Sequence, residues 1–131
     1  MAAIRPTEPK IARGMTRSGF SISSAHELSW SVTALGKGPE LAAALDGLPG
    51  PWVAAAVAYG RGDPVGAADV MARIGASAEE AFARLAAGRL LLERDRRAEA
   101  EAQLERALAF YRSVAASRYI RESEELLKLL G

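Results

Sequence analysis

Two stretches of this 131-residue chain repeat one pattern at an offset of 33 positions. Trp52 corresponds to Leu85, Ala55 to Gly88, Ala58 to Leu91 and Tyr59 to Leu92. The turn residue Gly62 then corresponds to Asp95, and Ala67, Met71 and Ile74 to Ala100, Leu104 and Ala107. Each stretch reads as a helix, a short turn and a second helix. Small residues stand where the two helices of a hairpin would cross, so that the backbones can approach. Larger apolar residues fill the space beside them. A duplicated hairpin constrains the fold strongly, because one such unit cannot bury its apolar face alone and about three are needed for stability.

Start and stop signals extend the helical reading beyond the repeat. Ser24-x-x-Glu27 has the spacing of a capping box and opens a helix over about 25–35, with Leu28, Val32 and Leu35 on one stripe and Gly36 as its stop. Pro39 fits the first turn of a short helix to about Leu45, and Pro51 starts another over about 51–59 that ends at Gly60. Asp63-Pro64 places an N-cap before a proline and predicts a helix over about 64–74, closed by Gly75. Ser77-x-x-Glu80 has capping-box spacing before a long helix over about 78–93. Asp95 is the expected cap of a helix over about 97–114, and Ser117 that of a last helix over about 118–130. That last helix carries Tyr119, Ile120, Leu126, Leu127 and Leu130 on one side and charged residues on the other. Asp69/Arg73, Glu80/Arg84 and Glu124/Lys128 have the acid-before-base spacing of salt bridges along one helix.

Composition agrees and narrows the functional choices. Alanine occupies 28 positions while aromatics make up 6% of the chain, which suits closely packed helices rather than a sheet. With no cysteine and one histidine, disulfides, thiol catalysis and zinc ribbons are excluded, and neither a metal nor a cofactor is expected. A net charge of +1 argues against general polyanion binding, and no stretch is apolar enough for a membrane span. Residues 1–24 are punctuated by Pro6, Pro9, Gly14 and Gly19 and carry Arg5, Lys10, Arg13 and Arg17 against Glu8. They read as a flexible basic tail before a helical domain over 25–131, with an amphipathic targeting peptide as the alternative. A cytoplasmic protein is expected.

The pattern Ala100-x-x-x-Leu104-x-x-Ala107, with Gly88 and Leu91 before it, resembles the tetratricopeptide repeat (TPR), a helix–turn–helix unit of about 34 residues. The first stretch departs from it at Ile74 and Ala58, and neither stretch ends in the usual proline. A longer ordered run passes through Gly62-Asp63, Ala67-Ala68-Asp69, Arg97-Ala98-Glu99-Ala100, Phe110-Tyr111-Arg112 and Arg118-Tyr119-Ile120-Arg121-Glu122. It resembles the C-terminal TPR-like tail of large bacterial signalling proteins that carry adenylate/guanylate cyclase and AAA-type ATPase domains. The resemblance covers about Trp52 to Leu130. It implies an all-α, TPR-like stack of antiparallel helical hairpins with a C-terminal capping helix, and it brings no catalytic residues.

In TPR architecture the first helices of successive units line a groove for a peptide or partner helix. Carried onto this sequence, that groove would comprise Trp52, Ala56, Tyr59, Leu85, Arg89 and Leu92, which could equally be contacts to preceding helices. His26 lies among Ser21, Ser23, Ser24 and Glu27, where capping already accounts for serine and glutamate and no catalytic triad is expected. Gly60-Arg61-Gly62 lacks the Gly-Lys-Ser/Thr of a phosphate loop. Arg94, Arg96 and Arg97, joined by Arg89, could hold a phosphate or an acidic partner, although a solvated turn with Glu93 and Asp95 explains them more simply. At least one of Phe110 and Tyr111 is expected in the core.

The reading is a non-catalytic protein-interaction or scaffold module with a protein or peptide partner. The first end has no comparable cap, because its helices are short; either the first two helices fold over it or another chain covers it, as in a homo-oligomer. Two alternatives stay open. A nucleic-acid-associated regulatory fragment would need a basic stripe, yet residues 51–131 carry 12 basic and 12 acidic side chains. A small enzyme with an unrecognised site would need polar residues clustered in a closed pocket.

Overall fold

The computed structural model describes residues 30–130. The tail over 1–24, the Ser24/Glu27 capping box and the His26 constellation lie outside these residues. Every regular element among them is an α-helix, so the all-α class read from the sequence holds. The chain divides into two compact units, residues 1–61 and 62–131, and the division falls inside the first of the two predicted hairpins.

The first unit contains α1, described over residues 30–34, then α2 (Gly38–Leu45) and α3 (Pro51–Gly60). Both prolines sit in first helical turns, where their missing N–H removes nothing from the helix. The two helices touch backbone to backbone. A methyl added at Gly38 would lie 2.6 Å from the Gly60 carbonyl oxygen, and one at Gly60 would lie 2.7 Å from that of Gly38. Gly60 is therefore the last residue of α3 and a contact surface, rather than a stop beyond the helix.

The second unit contains α4 (Pro64–Arg73), α5 (Ser77–Glu93), α6 (Arg97–Ser113) and α7 (Ser117–Lys128). The α5 helix packs most extensively on α6, with α4 against α5 and α7 against α6. Ala81, Leu85, Leu104, Ala107 and Tyr111 form the core, and Tyr119, Ile120, Leu126, Leu127 and Leu130 at the C-terminal end close over it. Leu104 enters the space that Gly88 leaves open on α5; a methyl there would stand 2.5 Å from Leu104 Cγ and closer still to Cδ2.

The helices of this unit are joined by one recurrent turn. Ala76 N–H donates to Met71 O, Arg96 N–H to Leu91 O and Ala116 N–H to Tyr111 O, at 2.9, 2.8 and 3.0 Å. In each case the preceding residue has positive φ: 77° at Gly75, 58° at Asp95 and 55° at Ala115. This is the Schellman arrangement, which satisfies the last carbonyls of the outgoing helix. The residue donating the long bond then serves directly as the N-cap of the next helix.

That economy corrects three expected caps. Ala76, Arg96 and Ala116 occupy the N-cap positions, and none of their side chains caps the helix. Ser77 and Ser117 are already helical, and Asp95 is the left-handed residue of its turn. Asp63 does act as the expected cap: its carboxylate accepts from Gly66 N–H at 3.0 Å.

Candidate functional site

Among the described residues the buried charged side chain is Arg84, on the second turn of α5 and 1% exposed. Its Nε donates to Glu80 Oε2 at 2.7 Å, one helical turn earlier. Its two terminal nitrogens leave the helix, one to Gln103 Oε1 on α6 at 2.8 Å and one to Asp69 Oδ1 on α4 at 3.2 Å. Arg106 of α6 reaches the same Glu80 oxygen at 3.2 Å. A buried guanidinium survives only with such partners, because removing it from water costs several kcal/mol. Ala83 and Ala87 flank it on α5 and are buried, which leaves room for the long side chain. Sequence spacing alone puts Arg84 in a surface pair with Glu80 and Asp69 in one with Arg73. Instead the Asp69 carboxylate crosses to Arg84, and Glu124 likewise pairs with Arg112 rather than Lys128.

This bridge separates two openings. The larger, of about 310 Å³, lies between the start of α4 and the α5–α6 turn. It arises because α4 has 10 residues against 17 in each of α5 and α6, so the last turns of α5 and the first of α6 extend beyond it. Pro64, Val65, Ala87, Leu90 and Leu91 give it an apolar floor. Arg94, Arg96, Glu99 and Asp63 stand at its rim. The smaller, of about 270 Å³, is bounded by Ser77, Glu80, Arg84, Arg106 and Phe110.

Compared with protein-family models, with curated proteins and with solved structures, the chain has no significant match. The chemistry of the site therefore rests on its own geometry.

The structure divides the arginine cluster into three different roles. Arg96 makes a two-pronged pair with Glu99, at 2.6 and 2.7 Å, which raises the arginine's pKa and lowers that of the glutamate. Arg97 donates to Asp95 at 3.2 Å and to the backbone carbonyls of Leu129 and Leu130, at 3.1 and 3.4 Å, so it holds the end of α7. Asp63 is engaged as the α4 cap. Arg94 is left as the guanidinium at the rim of the larger cleft that faces an apolar floor. That pairing of a cation with an apolar surface suits an acidic or carboxylate-bearing apolar segment.

The six residues of the expected groove fall into two groups. Trp52, Ala56 and Tyr59 lie on α3; Ala56 is buried, Trp52 is half-buried, and the Tyr59 ring sits 6.3 Å from that of Trp30. Leu85, Arg89 and Leu92 lie on α5. Leu85 is in the core with Leu92 packed beside it, and Arg89 pairs with Glu122 of α7. The α5 members are thus contacts within their own unit. Tyr111 is buried and stacks on Tyr119 at 4.8 Å, while Phe110 is half-buried and meets Tyr111 edge-on. Burial, reinforced by Tyr119, pushes the Tyr111 phenol up to about 12. Among the described residues no group of three or more His, Cys, Asp and Glu is placed to hold a metal ion, and no helix is long and apolar enough to cross a membrane.

Proposed function

We propose that this chain is a non-catalytic protein-interaction or scaffold module of TPR-like helical hairpins working in the cytoplasm, with α7 as a C-terminal cap. It resembles the helical tail of bacterial cyclase/ATPase regulators and acts by holding a protein or peptide segment. Two features support the hairpin reading. Positive-φ turn residues recur 33 positions apart at Gly62 and Asp95, and the α4–α5 and α6–α7 turns share one hydrogen-bond pattern. The α5–α6 hairpin interlocks through Gly88 and Leu104, the pair that the repeat pattern singles out.

The observation that carries the interaction reading is the cleft beside the short α4, with Leu90 and Leu91 in its floor and Arg94 at its rim. A segment that places an apolar side chain on that floor and a carboxylate at Arg94 would bury apolar surface and gain a charge-assisted hydrogen bond. Selection of a random-peptide library on the immobilised full chain tests this. The expected binders combine aliphatic or aromatic residues with Asp or Glu and lose affinity in Arg94→Glu and Leu90→Asp. If no selected peptide depends on either residue, the cleft is not the interaction site. Binding of DNA or RNA that weakens with salt and with Arg94→Glu would favour the nucleic-acid alternative instead.

A further inference from the structure

From Arg89 to Leu130 the chain contains no glycine, proline or asparagine, yet it reverses direction between α6 and α7. The equivalent reversal between α4 and α5 uses Gly75 at φ 77°, whereas here Ala115 takes φ 55°. A side chain with a β-carbon is disfavoured in this region by roughly five- to thirtyfold relative to the right-handed helix. Val114, Ala116 and Ser117 supply no local reason to turn either. The turn has its own backbone hydrogen bonds, but the packing of α7 must hold a residue with a β-carbon in this conformation.

That packing is specific but polar at its centre. Ser123 is the one fully buried residue of α7, and its hydroxyl has no hydrogen-bond partner among the described residues. Around it, Tyr119 stacks on Tyr111, Glu122 pairs with Arg89, Glu124 pairs with Arg112, and Arg97 holds the terminal carbonyls. All four contacts join the C-terminal segment to α5 or α6, and all four re-form if the incoming α7 belongs to another molecule.

We infer that α7 exchanges between two copies of this chain. The turn at 114–116 straightens, α6 and α7 become one continuous helix over 97–128, and each copy seats its α7 on the α5–α6 face of the other. The occupant is a second copy, because that face matches α7 in both apolar pattern and charge. Opening relieves the left-handed alanine, exchanges the turn's hydrogen bonds for helical ones, and recovers the side-chain contacts of α7 once the exchange is reciprocal. A short hinge under strain is a known route to such swapping.

The absence of cysteine allows a clean experiment on the full chain. The double variant Arg89→Cys/Glu122→Cys is equilibrated at high concentration through a mild denaturation–refolding cycle and joined with a short bis-maleimide. The expected products are covalent dimers on denaturing gels, in a fraction that rises with concentration. Light scattering on the cysteine-free chain guards against misfolding of the double variant and is expected to show the same dimer. Ala115→Gly is expected to weaken it by about thirtyfold or more, because glycine removes the strain of the closed form in both copies. Three results would overturn the inference: a monomer throughout with only intrachain links, a dimer whose links are all intrachain, or a dimer fraction unchanged by Ala115→Gly.

Discussion

The closest interlock in the second unit, Leu104 against Gly88, gives the sharpest test of the packing. In Gly88→Ala the new methyl would stand 2.5 Å from Leu104 Cγ, where carbon atoms normally rest at about 3.5–4.0 Å. Leu104 is fully buried and walled in by Ala81, Leu85, Ala107 and Tyr111, so it cannot swing into solvent. Overpacking of this kind costs about 1–3 kcal/mol. Alanine regains about 1 kcal/mol of helix propensity at a mid-helix site. The net expectation is a loss of about 0–2 kcal/mol, each kcal/mol lowering the melting temperature by roughly 4–8 °C for a unit of this size. Leu104→Ala alone should cost about 2–5 kcal/mol by leaving a cavity. In the double variant the methyl introduced at position 88 occupies part of that cavity, so the combined loss should fall short of the sum by about 1 kcal/mol or more. Urea melts of the four proteins, followed by far-ultraviolet circular dichroism, measure the cycle. A Gly88→Ala that gains stability, or strictly additive losses in the double variant, would refute the interlock.

Three further outcomes follow from the same unit. Arg84→Ala removes the buried guanidinium, leaving Glu80 to Arg106 and freeing Gln103 and the half-exposed Asp69, and should cost about 1–3 kcal/mol, whereas Arg73→Ala on the exposed side of α4 should change urea stability by no more than about 0.5 kcal/mol. Ser123→Ala removes a buried hydroxyl without a partner and should raise stability by about 1 kcal/mol; a loss would reveal a hydrogen bond formed by that group. The Tyr111 phenol, ordinarily titrating at 10, is pushed up to about 12 in the folded chain. Between those values the folded chain keeps a proton that the unfolded chain releases, so stability should fall as pH rises through this window. Tyr111→Phe should flatten that fall, and phenolate absorbance should show one of the three tyrosines ionising late.

What can be read from the sequence is what depends on near neighbours. Pro39, Pro51 and Asp63-Pro64 mark helix starts because each acts through its own backbone or the next turn, and all three do so in the structure. Gly88, Leu104 and Ala107 are legible because burial on a helix repeats with its period. The caps expected at Ser77, Asp95 and Ser117 are not, because the position of each N-cap is dictated by a bond to the carbonyl five residues back. The pairing of Asp69 and Glu124 also escapes, since each reaches a partner on another helix that no spacing rule contains. Arg84 hides behind an ordinary surface-pair spacing with Glu80. The available signal is its place between Ala83 and Ala87, beside Leu85, on the face that the repeat assigns to the core.

The helices α3 and α4 have 10 residues each, and α5 and α6 have 17. Seven residues are close to two full turns, so one heptad displaces a face by only about 20°. Because the Schellman joint closes on the last five residues of the outgoing helix, whatever its length, the joint and the span it connects are independent variables. Whole heptads can be added to or removed from a helix while both of its ends stay keyed to the same neighbours. In such a design the depth of the recess beside α4 is a tunable dimension, set by how many heptads one arm carries and the next does not.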